Sequence, residues 1–145
     1  MYIYYSQRDP RWAKTTFSPA KLTIGAKGCT ITVASSMATW AGKKFTPDEM
    51  AKECKFTPNG LLLWRSLPVK FVWRYYRYLP TKAKEILLSA KGMCMIEVLW
   101  GRDRHWIGLV GWDRRGEIIH DPYDGKKKSL RNCPFRPTGF TELSK

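Results

Sequence analysis

Hydrophobic residues in the first third of the chain recur at helical spacing. From Cys29 they continue through Val33 and Met37 to Trp40 at intervals of three and four, and Gly42 follows. Such periodicity belongs to one apolar face of an amphipathic helix, and a glycine commonly ends such a helix. The pattern therefore predicts a helix that begins at Cys29.

Two further helices are indicated by their start and stop signals. In the segment Thr46–Glu49 a capping threonine is followed by a proline suited to the first turn and by the glutamate of a capping box. We expect this helix to end near Cys54. The next helix begins at Pro80, continues to about Ala90 and is stopped by Gly92.

The second half of the chain has the pattern of a β-sheet. Apolar segments predict strands over Met93–Trp100, His105–Trp112 and Glu117–Asp121. The turn-forming residues Asp113–Gly116 join the last two strands into a hairpin. The segment Lys70–Tyr78 is aromatic and also prone to form a strand.

The order of these elements predicts the fold class. We expect the basic stretch Asp124–Lys128 to be a turn, and the segment Tyr2–Leu22 to be irregular. Helices therefore come first and an antiparallel sheet comes last, which is an α+β arrangement. Residues 1–145 show no repeat or linker, so we expect one domain.

Charge is the bulk property that changes this picture most. With 26 Lys and Arg against 12 Asp and Glu, the net charge is +14. A surface of that sign favours a polyanionic partner, such as nucleic acid, an anionic membrane face or a cell-wall polymer. The content of 43% hydrophobic residues excludes a disordered chain.

Targeting signals are also read from the hydrophobic pattern. The apolar runs are too short to cross a bilayer, and Met1–Ser6 lacks the basic and apolar regions of a Sec signal. We therefore expect synthesis in the cytoplasm and no transmembrane segment. Side-chain amides are scarce beside abundant Lys and Arg, which favours a thermophilic source.

Four cysteines are spread widely along the chain. They are Cys29, Cys54, Cys94 and Cys133, and none forms a CxxC pair. A structural zinc site needs paired ligands on tight turns, so we expect no metal and no other cofactor. Disulfides stay open, because four cysteines allow three pairings.

Cys29 is the candidate nucleophile. It follows Gly28 directly at the predicted helix start, where the positive end of the helix dipole favours a thiolate. The free N–H groups of the first helical turn can also bind an oxyanion. The alternative is a buried structural cysteine on an amphipathic helix, which is the commoner role of a free cysteine.

His105 and Asp121 are the candidate base and the residue that orients it. They lie at adjoining ends of the predicted hairpin if it folds about Arg114 and Arg115. We expect strand alternation to place Asp121 on the same face as His105 and to direct the rival base, His120, to the opposite face. Both residues also have a purely structural interpretation. His105 would then be an ordinary histidine at a strand end, and Asp121 would be a turn former before Pro122.

Gln7 is a candidate for the oxyanion hole, because its side-chain amide can donate beside the Cys29 backbone N–H.

With Gln7, the chain resembles the C39-like, papain-fold cysteine peptidases. The resemblance rests on the order and spacing of the segments Tyr5–Trp12, Gly28–Thr30 with Met37, Gly42 with Thr46-Pro47, His105–Asp113 and His120–Pro122.

What the resemblance implies is a papain-like fold, with the nucleophile at the start of an N-terminal helix that packs on the sheet. It implies that Gln7 binds the oxyanion and that Cys29 is the nucleophile. It further implies that His105 is the general base and that Asp121 orients the imidazole. No leader-peptide context or transporter domain accompanies the chain, which disfavours the bacteriocin-processing role of some relatives. Small, basic, signal-less members resemble phage or prophage lysis enzymes that cut peptidoglycan.

On this basis we expect a monomeric peptidoglycan hydrolase that acts on the cell wall after release, with anionic envelope polymers as partners. We favour N-acetylmuramoyl-L-alanine amidase, because a small domain offers little room for a long peptide-binding cleft. An endopeptidase and a protease of proteins or leader peptides are alternatives. A non-enzymatic nucleic-acid binder, using Lys126–Lys128 and Trp73–Tyr78, is the least favoured hypothesis.

Overall fold

A six-stranded antiparallel sheet forms the centre of the structure, a computed structural model that describes residues 1–145. In chain order the strands are β1 (Thr16–Phe17), β2 (Leu22–Thr23), β3 (Lys70–Tyr75), β4 (Gly92–Trp100), β5 (Asp103–Asp113), β6 (Gly116–Asp121), β7 (Lys126–Ser129) and β8 (Phe135–Ser144). The order within the large sheet is β3-β8-β4-β5-β6-β7, and β1 pairs with β2 in a separate small sheet.

Four helices accompany the sheet. They are α1 (Ile24–Lys27), α2 (Cys29–Trp40), α3 (Pro47–Glu53) and α4 (Pro80–Leu88). The three predicted helices are thus confirmed, with α2 starting at Cys29 as expected. The capping box of α3 is also present, since the Thr46 N–H donates to the Glu49 carboxylate at 3.0 Å. None of the helices is long and apolar enough to cross a membrane.

Helices cover both faces of the sheet. Met93 and Met95 of β4 belong to the hydrophobic cluster that contains α2 and α3, whereas Cys94 and Ile96 belong to the cluster that contains α4. Successive residues of a strand point to opposite faces, so β4 is buried on both sides. This explains why its sequence is a continuous apolar run rather than an alternating one.

The helix α2 is buried on all sides, because the nine consecutive residues Ile31–Thr39 are all buried. The N-terminal segment lies along it. The Ile3 N–H donates to Thr39 Oγ1 at 3.0 Å, and the Tyr5 N–H donates to Ser36 Oγ at 3.2 Å. Buried hydroxyls of the helix therefore bind the backbone of a segment that has no regular partner of its own.

The sheet approaches α2 closely where β5 carries a glycine. A Cβ atom on Gly108 would lie 2.8 Å from the Tyr2 hydroxyl oxygen and 3.1 Å from Val33 Cγ1. A larger residue would push the helix away from the strand. Gly108 therefore sets the distance between α2, which begins with Cys29, and the strand that carries His105.

Two parts of the sheet differ from the sequence predictions. The prediction that Asp124–Lys128 is only a turn is wrong, because Lys126–Ser129 forms the edge strand β7, which pairs with β6. Lysines are common on edge strands, where they discourage pairing with another chain. The strand β8 was not predicted; it contains Pro137 and Gly139, which usually break strands, and it accommodates them at a bulge where Thr138 is unpaired.

Candidate active site

Cys29 is held at the start of α2 by a tight connection to α1. The Gly28 N–H donates to the Ile24 carbonyl at 2.8 Å, and a Cβ on Gly28 would lie 2.6 Å from that same oxygen. Only glycine fits this close approach between the two helices. The first backbone N–H groups of α2 have no carbonyl partner within the helix, so they are available beside the Cys29 thiol.

His105 and Asp121 form the predicted hydrogen bond. His105 Nε2 lies 2.8 Å from Asp121 Oδ1, and both side chains are buried, with 7% and 1% of their surface exposed. Burial lowers the pKa of His105, but hydrogen bonds to Asp121 and to Cys29 outweigh it and raise the pKa to about 9. The imidazole therefore carries a positive charge at neutral pH.

Cys29 adjoins His105, and this contact is one of the causes of the raised pKa of the imidazole. Because Nε2 is bonded to Asp121, Nδ1 is the ring nitrogen that remains for the thiol. A protonated imidazole beside a cysteine favours the thiolate, which is the nucleophilic form of that side chain. The structure thus brings together three of the four predicted site residues in the order Cys29, His105, Asp121.

Asp121 has two further side-chain contacts that the sequence did not reveal. Lys128 Nζ lies 2.7 Å from Oδ2, and the Tyr123 N–H donates to Oδ1 at 3.0 Å. Burial raises the pKa of Asp121, but the bonds from His105, Lys128 and Tyr123 lower it to about 2. Lys128 also pairs with Asp124 at 2.8 Å. The carboxylate is therefore ionised and held on both oxygens.

A β-bulge decides which residue of β6 meets His105. Asp113 pairs with Gly116 as predicted, but the register shifts between Leu109 and Gly111, so that Gly108 pairs with His120. An uninterrupted hairpin would have paired Gly108 with Asp121 and placed His120 on the face of His105. The predicted pair of His105 and Asp121 is thus present, but the reason given for it is wrong. Strand alternation without the bulge would have placed His120, not Asp121, on the face of His105.

His120 has a structural environment. Its Nδ1 lies 2.8 Å from the Tyr2 hydroxyl and its Nε2 lies 2.8 Å from the Tyr5 carbonyl. Burial lowers the pKa of His120 to about 4, so the ring is neutral at pH 7. His120 therefore attaches the N-terminal segment to β6, and it has no ring nitrogen left for Cys29.

Gln7 is hydrogen-bonded both to the residue after Asp121 and to the helix that precedes Cys29. Its backbone N–H donates to the Pro122 carbonyl at 2.7 Å, and its Nε2 donates to the Gly25 carbonyl at 3.1 Å. The side chain is buried, and Oε1 has no partner. Gln7 therefore connects the residue after Asp121 with the helix that precedes Cys29. Its role in an oxyanion hole stays a prediction.

Cys29 opens into a cleft of about 520 Å³. Its walls include Thr30 and two tryptophans, Trp64 and Trp106, whose rings pack edge to face with centroids 5.0 Å apart. Four further residues bring charge into the cleft: Lys27, Arg74, Glu97 and Arg104. Glu97 was detectable in the sequence as the one charged residue inside the apolar run of β4, and Arg104 as the neighbour of His105.

Of the remaining cysteines, Cys54 and Cys94 belong to the hydrophobic clusters, and Cys133 lies beside Asp121 and Lys128 in a pocket distinct from the Cys29 cleft. No disulfide is present, and burial raises the pKa of both Cys54 and Cys94 to about 12. Cys133 is half-buried, and its thiol donates to the Ser129 carbonyl. The structure contains no group of three His, Cys, Asp or Glu side chains able to hold a metal ion.

The site combines a cysteine at a helix start, a charged histidine and a buried carboxylate, on an α+β fold with four helices against a six-stranded antiparallel sheet. Comparison with protein-family models, with curated proteins and with solved structures found no match. The chemistry of the site is therefore what indicates the function.

Proposed function

We propose that this chain is a cysteine-dependent amide hydrolase that cuts peptidoglycan, of the kind that phages use for lysis. The observation that carries the proposal is the His105 imidazole, bonded through Nε2 to Asp121 at 2.8 Å and adjoining the Cys29 thiol. A nucleophile, a base and an orienting carboxylate in this order are the elements of acyl transfer through a thioester.

The reaction would follow from these positions. The Cys29 thiolate attacks the amide carbonyl, and the oxyanion is bound by the first N–H groups of α2 with help from Gln7. His105 then donates its proton to the leaving amine as the C–N bond breaks, which its raised pKa suits. Water attacks the thioester, His105 takes the proton of that water, and the free thiolate and a carboxylic acid result.

Peptidoglycan is the substrate that the charge of the chain favours. A net charge of +14 would hold the enzyme on the anionic polymers of a cell envelope. Within peptidoglycan we favour the bond between muramic acid and L-alanine, with cleavage inside the stem peptide as the alternative. Mass spectrometry of fragments released from purified walls separates these two bonds, and turnover of casein would identify a protein protease instead.

The nucleic-acid hypothesis has less structural support. Trp73 lies on β3 and the lysines Lys126–Lys128 lie on β7, which are the two opposite edges of the sheet. They cannot form one continuous surface, and Lys128 is already paired with Asp121 and Asp124. Salt-sensitive DNA binding that survives the loss of Cys29 would nevertheless favour that hypothesis.

The decisive experiment removes the nucleophile. Cys29→Ala and Cys29→Ser should remain folded but release no fragments from walls, because neither a methyl group nor a hydroxyl has the nucleophilicity of the thiolate. Cys133→Ser is the matched control and should retain lysis, since Cys133 lies outside the cleft. Iodoacetamide should inactivate the parent and EDTA should not. Full lysis by either Cys29 variant, or strong inhibition by EDTA, would refute the cysteine mechanism.

A further inference from the structure

The charged side chains in the Cys29 cleft are unevenly paired. Three cations, Lys27, Arg74 and Arg104, line the cleft with a single carboxylate, Glu97. Three positive charges against one negative charge leave two cations in excess beside the nucleophile. Which of the cations Glu97 neutralises, and which remain available, follows from their contacts.

Glu97 and Arg74 are each other's main partners. Arg74 Nη2 lies 3.1 Å from Glu97 Oε1, and both side chains are largely buried, with 14% and 10% exposed. Thr138 Oγ1 donates to the same carboxylate oxygen at 3.0 Å. The Arg74 guanidinium also lies over the rings of Tyr76 and Trp106. Arg74 is therefore fully engaged and acts as part of the wall.

Arg104 is the cation that remains available. It touches Glu97 Oε2 only at 3.5 Å, and 75% of its side chain is exposed. Arg74 and Thr138 both bind Oε1, whereas Arg104 approaches only Oε2, so most N–H groups of Arg104 have no acceptor. Lys27, two residues before Cys29, is exposed and forms no ion pair. The cleft thus presents a weakly anchored guanidinium and a free ammonium.

We propose that Arg104, assisted by Lys27, forms a subsite for a carboxylate of the substrate. A planar guanidinium binds a carboxylate through two parallel hydrogen bonds, whereas an ammonium adds charge without that geometry. Glu97 Oε2 attracts the guanidinium towards the cleft from 3.5 Å and leaves most of its N–H groups free. The apolar pair Trp64 and Trp106 would contact the uncharged part of the same ligand.

This inference rests on the proposed function, because it names what the hydrolase selects. Peptidoglycan stem peptides carry free carboxylates that some walls convert to carboxamides. The subsite therefore predicts preference for an acidic stem peptide over its amidated form. A carboxamide has the shape of a carboxylate but no charge, and it presents two donors to the donors of Arg104.

The test compares two soluble muropeptides that differ only by carboxylate against carboxamide at one stem position. The parent protein should hydrolyse the carboxylate form with a kcat/KM at least about tenfold higher, since hydrogen bonds between charged groups contribute at that level. Arg104→Gln should abolish this preference by raising KM for the acidic form alone. Arg104→Lys should restore part of it, because the charge returns without the planar fork.

The matched control is Arg102→Gln, which removes the same charge from an exposed residue in the turn just before β5, two positions from Arg104 and outside the lining of the cleft. It should leave the preference intact. Equal kcat/KM for both muropeptides in the parent, or an Arg104→Gln variant that loses activity equally on both, would overturn the subsite while leaving the hydrolase standing.

Binding to Cys29→Ala separates the two proposals further. Calorimetry should show tighter binding of the acidic muropeptide than of the amide, and the difference should vanish when Arg104→Gln is added. That result would support the subsite even if the parent hydrolyses neither muropeptide, which would count against the proposed function alone. No difference in binding between the two muropeptides would overturn the subsite.

Discussion

The two histidines of the chain should titrate far apart. Burial lowers the pKa of His120 to about 4, whereas the bonds of His105 to Asp121 and Cys29 raise its pKa to about 9. Both values depart from the ordinary 6.5, in opposite directions. Because these are the only histidines present, one variant, His105→Gln, assigns both resonances in a histidine NMR titration.

The perturbation that tests the cause is Asp121→Asn. An opposite charge within hydrogen-bond distance shifts a pKa by about 1 to 3 units, so the pKa of His105 should fall by at least about one unit. Lys128→Gln should act in the opposite direction. It removes the cation 2.7 Å from Asp121, so that the carboxylate charge acts more strongly on the imidazole. The pKa of His120 should change little in either variant.

The raised pKa of His105 also contributes to the stability of the fold. His105 has a folded-state pKa above its unfolded value, so its protonated form stabilises the fold fully below pH 6.5, and this contribution is lost as the pH rises through about 9. At about 1.36 kcal/mol per pKa unit, the contribution is on the order of 3 kcal/mol. Urea denaturation between pH 6 and pH 10 should show this loss in the parent and a smaller loss in Asp121→Asn.

Two outcomes would refute this reasoning. If both histidines titrate near 6.5, the contacts of His105 with Asp121 and Cys29 do not raise its pKa. If Asp121→Asn leaves the upper titration where it was, another group holds the imidazolium. A fall in the pKa of His120 instead of His105 in that variant would exchange the assigned roles of the two histidines.

Two more expectations concern the oxyanion and the charge. Gln7→Ala should lower kcat by about 10²–10³ with little change in KM if the amide donates to the oxyanion; a lower melting temperature with unchanged kcat would show that its bond to the Gly25 carbonyl is only structural. Lysis of walls should fall steeply with salt, since exposed charges are screened over a Debye length of about 8 Å at physiological ionic strength. Hydrolysis of a soluble muropeptide should fall much less, and equal sensitivity would mean that the +14 charge acts within the site.

The local pattern of the sequence was sufficient for several parts of this protein. The spacing from Cys29 predicted α2, the Thr46–Glu49 signature predicted the cap of α3, and the turn before Gly116 predicted the β5–β6 hairpin. Each is decided by residues within a few positions of one another, where helix and strand periods and turn preferences act. The position of Cys29 at a helix start follows from the same local information.

The strand β8 depended on the tertiary structure. Its proline and glycine weaken any local strand signal, but the strand lies between β3 and β4 and bonds to both. Burial on both sides in the sheet compensates for a poor intrinsic preference. A pattern read along the chain has no access to those two partners, which precede β8 by more than thirty residues.

The partners within the site also depended on tertiary structure. The unpaired residue Val110 shifts the hairpin register, and this shift gives His105 the Asp121 carboxylate and leaves His120 to the N-terminal segment. Since a shift of one residue moves every side chain of a strand to the other face, alternation read from the sequence cannot select between adjacent residues unless the bulge is known. Local sequence patterns therefore account for the residue types of the site and for the helices and strands that carry them. The bulge, the strand order and the packing of α2 decided which of those side chains meet.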